Sequence, residues 1–180
     1  MPRINSRSKG QRGEKMIAEF MKDWTGMDFR RTPGSGGLRG HVVDYTEGDL
    51  VCVKKNYIFP LCIEVKFYEE LNFSHLLYDP RVKKKKKATG IKGFWKQTAA
   101  SAVRAEKVPI LFMRYTGLPK DMFFVMISYR FFRSLGVNFK KQFVIENRVV
   151  VTTTRELKTI PWSYVDKAAK IYLNIWQTPT

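Results

Sequence analysis

Three observations predict an α/β fold, a central β-sheet flanked by helices with a C-terminal α+β extension. Apolar residues recur at helical spacing in 12–24, and 93–106 has the composition of a second helix. Strand-like runs lie between and after them, at 49–53, 58–66, 108–115 and 122–127. A 44% hydrophobic and 14% aromatic content is high enough for a packed core and excludes disorder over most of the chain. At 180 residues the chain fits one domain with an elaboration better than two full domains. The expected division is a core over 1–128 and an extension over 129–180 packed on it.

The first helix follows from Ile17, Phe20, Met21 and Trp24, spaced i, i+3, i+4, i+7. Glu14 lies one turn earlier on the same stripe, where a carboxylate needs a metal, a cation or water. The same Glu also fits a first-turn acid facing the helix dipole. Residues 27–31 form a short strand, followed by Thr32-Pro33-Gly34-Ser35-Gly36-Gly37-Leu38-Arg39-Gly40. Four glycines and a proline in nine residues make this a loop. Ser35 and the flanking Arg30, Arg31 and Arg39 suit it to phosphates, although it also fits a plain surface connection.

The runs 49–53 and 58–66 pair as a hairpin turning at 54–57. Period two puts Leu61, Ile63 and Val65 on one face of the second strand and Cys62, Glu64 and Lys66 on the other. Asp49 opens the partner strand, within reach of Glu64 if the register permits. The segment 67–92 is expected to be mostly loop, and its run Lys83, Lys84, Lys85, Lys86, Lys87 repels itself into solvent. It fits a solvated basic loop as well as a DNA contact. On the second helix Gln97, Ser101 and Arg104 form a polar stripe. A strand pair over 108–115 and 122–127, a hairpin over 142–154 and a final helix from Pro161 complete the chain. Tyr164, Ala168, Ile171, Tyr172 and Ile175 form that helix's apolar stripe.

Charge narrows the function. With 33 Lys+Arg against 16 Asp+Glu, the net charge is +17, and such a surface attracts nucleic acid through counterion release. Cys52 and Cys62 lack metal-site spacing and are expected as free thiols, as in a reducing cytoplasm. No apolar run reaches the roughly 18 residues of a membrane span, so no membrane partner is expected. His41 and His75 stand apart from the acids and are assigned to the surface or the scaffold, and no P-loop occurs.

Phosphodiester hydrolysis needs an aligned water, a cation that lowers its pKa, and a positive group or base beside it. Asp49, Glu64 and the Val65 carbonyl are the hard oxygen ligands that magnesium prefers, and Lys66 adds the positive group.

With these residues, the chain resembles the PD-(D/E)XK nuclease superfamily and, within it, the archaeal-type Holliday junction resolvases. The resemblance covers about 8–115 and rests on Lys9-Gly10-x-x-Gly13-Glu14, Arg31-Thr32-Pro33-Gly34-Ser35-Gly36, Gly48-Asp49, Ile63-Glu64-Val65-Lys66 and Gln97. It implies a restriction-endonuclease-like mixed sheet and metal-dependent cleavage of branched DNA, above all four-way junctions, by a homodimer. Mg2+ is the implied cofactor, with Mn2+ able to substitute. Asp49, Glu64 and the Val65 carbonyl are the implied ligands, with Glu14 completing the acidic set directly or through water, Lys66 at the attacking water and Gln97 supporting the site. Ser35 and its arginine-flanked loop are implied to contact the backbone near the scissile phosphate. Lys9 and Lys83 to Lys87 add basic DNA contacts. Gly48 replaces the usual proline, Asp44 and Glu47 are neighbouring acids, and nothing from about Thr116 onward matches the minimal core. A viral or mobile-element origin, acting in a host cytoplasm, suits that combination. A nuclease of the same fold cutting at restriction, mismatch or flap sites, and a non-catalytic binding protein, use the same residues.

Overall fold

The structure is a computed structural model and describes residues 6–32, 47–73, 76, 90–146 and 148–177. Its elements are α1 (Ser6–Thr25), β1 (Phe29–Arg31), β2 (Leu50–Cys52), β3 (Leu61–Tyr68), α2 (Ile91–Arg104), β4 (Val108–Tyr115), β5 (Phe124–Ser128), α3 (Tyr129–Leu135), β6 (Phe143–Ile145), β7 (Val149–Thr153), α4 (Thr154–Leu157) and α5 (Trp162–Gln177). The strands form one seven-stranded sheet in the order β1-β2-β3-β4-β5-β7-β6. Only β3 and β4 run parallel, joined by a crossover through α2, and the other pairs are antiparallel. The predicted mixed α/β sheet flanked by helices is therefore present.

The two faces of the sheet are packed differently. The larger core joins Ile17, Met21 and Trp24 of α1 to Leu61, Ile63 and Val65 of β3, and continues through Ile110, Phe112, Val125 and Ile127 to α3 and α5. Ile17, Met21 and Phe112 are fully buried, each contributing roughly 1.5–3 kcal/mol of hydrophobic stabilisation. The opposite face carries the smaller cluster, where Ile91 and Phe94 of α2 meet Leu111, Met113, Met126 and Val151. α1 approaches β3 closely at Gly13, where an added Cβ would lie 3.1 Å from the Phe67 Cβ. A larger residue there would force the helix away from the strand.

Several elements differ from expectation. β3 starts at Leu61 rather than Ile58, because Pro60 cannot donate to a ladder and Ile58 is exposed. Helix α3 was not expected. Ser128 caps it by accepting the Phe131 N–H at 3.2 Å, and Gly136 ends it with φ +60°. In α5 the buried stripe is Val165, Ala168 and Ala169, while Tyr164 and Ile171 are about half exposed. α5 packs on α3, and at its N-terminal end its own Trp162 stacks on Phe59 with centroids 5.0 Å apart and meets Trp24 edge-on. Tyr57 also donates to Asp166 at 2.6 Å, and the Trp24 indole donates to the Ile160 carbonyl at 2.9 Å. Residues 129–177 thus supply two strands of the common sheet and a helix seated on the β2–β3 hairpin.

Candidate active site

The β2–β3 register pairs Leu50 with Ile63, which sets Asp49 opposite Glu64 on the α2 face of the sheet. Asp49 precedes β2 and is held by its backbone: its N–H donates to the Ile63 carbonyl at 2.7 Å, and its carbonyl accepts from Thr32 at 3.0 Å. Its side chain accepts the Val65 N–H at 2.7 Å. Glu64 lies in mid-strand, and one of its oxygens accepts from Lys66 Nζ at 2.6 Å and Gln97 Nε2 at 3.0 Å. Strand alternation brings Lys66 to this carboxylate, and α2, lying over β3 and β4, delivers Gln97.

Burial makes this cluster unusual. Asp49 is 8% exposed and Glu64 3%. Desolvation, followed by the neighbouring Glu64 charge, raises the Asp49 pKa to about 7, against smaller lowering effects of Lys66 and the Val65 N–H. Burial alone would lower the Lys66 pKa, but the charge and hydrogen bond of Glu64, together with Asp49, hold it above its usual value. Lys66 is therefore a cation at neutral pH.

The donor set fits a hard divalent ion. Two facing carboxylates and adjacent main-chain oxygens are the ligands magnesium takes while keeping several waters, and a cation would offset the burial and the Glu64 repulsion that raise the Asp49 pKa. Among the described residues, no three His, Cys, Asp or Glu side chains gather as a metal cage. Glu14 is buried on α1 close enough for its charge to reach Asp49, but its carboxylate is paired with Arg31.

Asp49, Glu64, Val65, Lys66 and Gln97 are thus brought together, with Glu14 beside them. Lys9 pairs with Glu69 at 2.5 Å, and Arg30 is exposed on β1. Ser35, Arg39, Asp44, His41, His75 and Lys83 to Lys87 lie outside the described residues. Glu47, an alternative acid, receives two hydrogen bonds from Arg104, at 2.7 and 2.9 Å. That pair was not anticipated, although Arg104 ends the Gln97–Ser101–Arg104 stripe. Both cysteines are free thiols, Cys62 buried and its pKa raised to about 12 by burial, then by Glu64. No helix among the described residues is long and apolar enough to cross a membrane.

Residues 5–167 match the family described as "Phage putative PDDEXK endonuclease". A curated relative, "Protein D14" of Escherichia phage T5, is 33% identical over 78 residues, which span 42% of this chain and 47% of that protein. The match therefore covers about half the length of that relative. No solved structure matches. With the mixed sheet and the acid–acid–lysine cluster in place, the match over most of its length shows that the chain belongs to this phage family of PD-(D/E)XK endonucleases.

Proposed function

We propose that this protein is a Mg2+-dependent endodeoxyribonuclease that cleaves four-way DNA junctions by water attack on phosphodiesters, acting as a homodimer in the cytoplasm of a phage host. The observation that carries the reading is the buried pair Asp49 and Glu64, set opposite each other with the Lys66 ammonium on Glu64. The net charge of +17 supports DNA as the substrate. Junction preference rests on the resolvase-like residues from Lys9 to Gln97.

Asp49, Glu64 and the Val65 carbonyl would hold the ion, with Glu14 reaching it through water. When bound, the ion lowers the pKa of water and offsets charge on the phosphate. Lys66, protonated at neutral pH, orients the water and donates to the phosphate instead of accepting a proton. Gln97 keeps the Glu64 carboxylate in its rotamer through the 3.0 Å hydrogen bond. Arg30, Arg31, Ser35, Arg39, Lys9 and Lys83 to Lys87 are assigned to the DNA backbone, which positions a substrate read by shape. We assign the chemistry to 1–128 and the completion of the scaffold to 129–180.

The test is cleavage of an immobile four-way junction beside a matched linear duplex, with Mg2+ or EDTA, by wild type and Glu64→Ala. Symmetric metal-dependent cuts confined to the junction and lost in the variant are expected. Equal cutting of the duplex removes the junction preference, and tight binding without cutting in any divalent metal removes the nuclease reading.

A further inference from the structure

We propose that Arg104 is a positioning residue for Asp49, acting through Glu47; the inference rests on the metal-site reading of Asp49 and Glu64. Asp49 lies just outside β2, where its backbone bonds to Ile63 and Thr32 and its side-chain bond to the Val65 N–H hold it on the sheet, so what remains to be anchored is the chain that leads into it. The chain enters it through Gly48, which has φ +91° and approaches the Ile63 carbonyl so closely that an added Cβ would sit 2.6 Å from that oxygen. Glycine allows this turn and also leaves it conformationally free. Glu47, immediately upstream, anchors the chain as it enters that turn. Its two carboxylate oxygens accept from Arg104 Nε at 2.7 Å and NH2 at 2.9 Å, a planar two-bond pairing that sets orientation as well as distance. The same NH2 group donates to Ser101 Oγ, on a buried residue, at 3.1 Å, which holds the guanidinium against α2.

The opposite end of this stripe carries Gln97, which donates to Glu64. One face of α2 therefore addresses both acids, Glu64 directly and Asp49 through Glu47 and the Gly48 turn. A shift of α2 relative to the β2–β3 hairpin would move both. The Arg104 side chain is 47% exposed, so the ion pair itself adds little to global stability, and its positioning effect is separable from folding.

The experiment measures Mn2+ binding to DNA-free protein at pH 8, by the electron paramagnetic resonance signal of free Mn2+, in wild type, Arg104→Gln, Arg104→Lys and Glu47→Gln. Loss of a direct outer partner of a metal ligand weakens binding by roughly 10–100-fold, and a change further out, at Glu47 or Arg104, is expected at the lower end of that range. Arg104→Gln and Glu47→Gln should show that loss with a metal-free Tm within about 2 °C of wild type. Arg104→Lys keeps the charge without the two-bond geometry and should bind as weakly as Arg104→Gln. The double variant Arg104→Gln/Glu47→Gln should be no worse than either single change. In cleavage, kcat should fall while KM for DNA stays constant. Wild-type affinity in both single variants overturns the positioning role, as does a loss that only follows a lowered Tm. If Arg104→Gln does not fold, Glu47→Gln decides between these outcomes. Wild type that binds no Mn2+ overturns the metal-site reading itself, and the positioning role with it.

Discussion

The two faces of β3 share one backbone and have opposite roles. Leu61, Ile63 and Val65 enter the larger core beneath α1, where each loses water at a gain. Cys62, Glu64 and Lys66 point the other way, where Glu64 and the facing Asp49 are buried at an electrostatic penalty. The difference shows how a strand can hold reactive groups rigidly: apolar residues on one side offset acids whose solvation has been removed on the other. In the metal-site reading proposed above, their poor solvation would make them receptive to a divalent cation.

Changing the two faces should separate activity from stability. The largest effect is expected for Glu64→Ala, which should reduce metal-dependent cleavage by roughly a thousandfold or more, far beyond what any fall in Tm from leaving the Lys66 ammonium without its partner would cause. Single-turnover cleavage and calorimetry check both halves. On the other face, Ile63→Ala should lower stability by about 2–5 kcal/mol, read as a fall in the denaturation midpoint. Wild-type stability in that variant would mean that the α1 face does not carry the core.

Asp49 supplies a pH test. Its folded pKa, about 7, lies above the ordinary aspartate value of 3.8. The folded state therefore favours the protonated acid, and the stability this group contributes is full below pH 4 and lost as pH rises through 7. In metal-free protein Asp49→Asn should raise the Tm by at least about 3 °C at pH 8 and by little at pH 4. A Tm difference independent of pH would contradict the raised pKa. The same proton competes with metal, so Mn2+ affinity of the wild type should weaken about tenfold for each pH unit below 7.

Smaller effects sharpen the comparison further. Gln97→Ala removes one hydrogen bond to Glu64 and should reduce kcat by about tenfold with DNA binding unchanged. Neutralising three of Lys83 to Lys87 should flatten the slope of log affinity against log salt by nearly three, and an unchanged slope would exclude that segment from the DNA surface.

Much of the site was legible along the chain because strand alternation is local. Once 61–66 is a strand, Glu64 and Lys66 must share a face, and the apolar spacing from Ile17 to Trp24 must form one side of a helix. The Gln97 stripe was visible for the same reason. The partners of charged groups were not. Glu14 is expected beside the acids and lies close enough for its charge to reach Asp49, but the cation that holds its carboxylate, Arg31, is 17 positions away on β1. The short helix α3 was missed because its signals are a serine cap and a terminal glycine around seven residues, too few for periodicity to register.

By itself the sequence determined the α/β class, the basic surface, the apolar face of β3 and the residue types at its acidic face, since each depends on composition or a period of two or about four. Tertiary structure alone decided that Asp49 faces Glu64, that Arg104 holds Glu47, and that α5 buries Val165 and Ala169 beside the expected Ala168 while Tyr164 and Ile171 stay half exposed. Strand register and helix rotation follow from which surfaces meet across the fold. At α5 the contacts with α3 and, through Trp162, with the rings of Trp24 and Phe59 set which side of the helix faces inward.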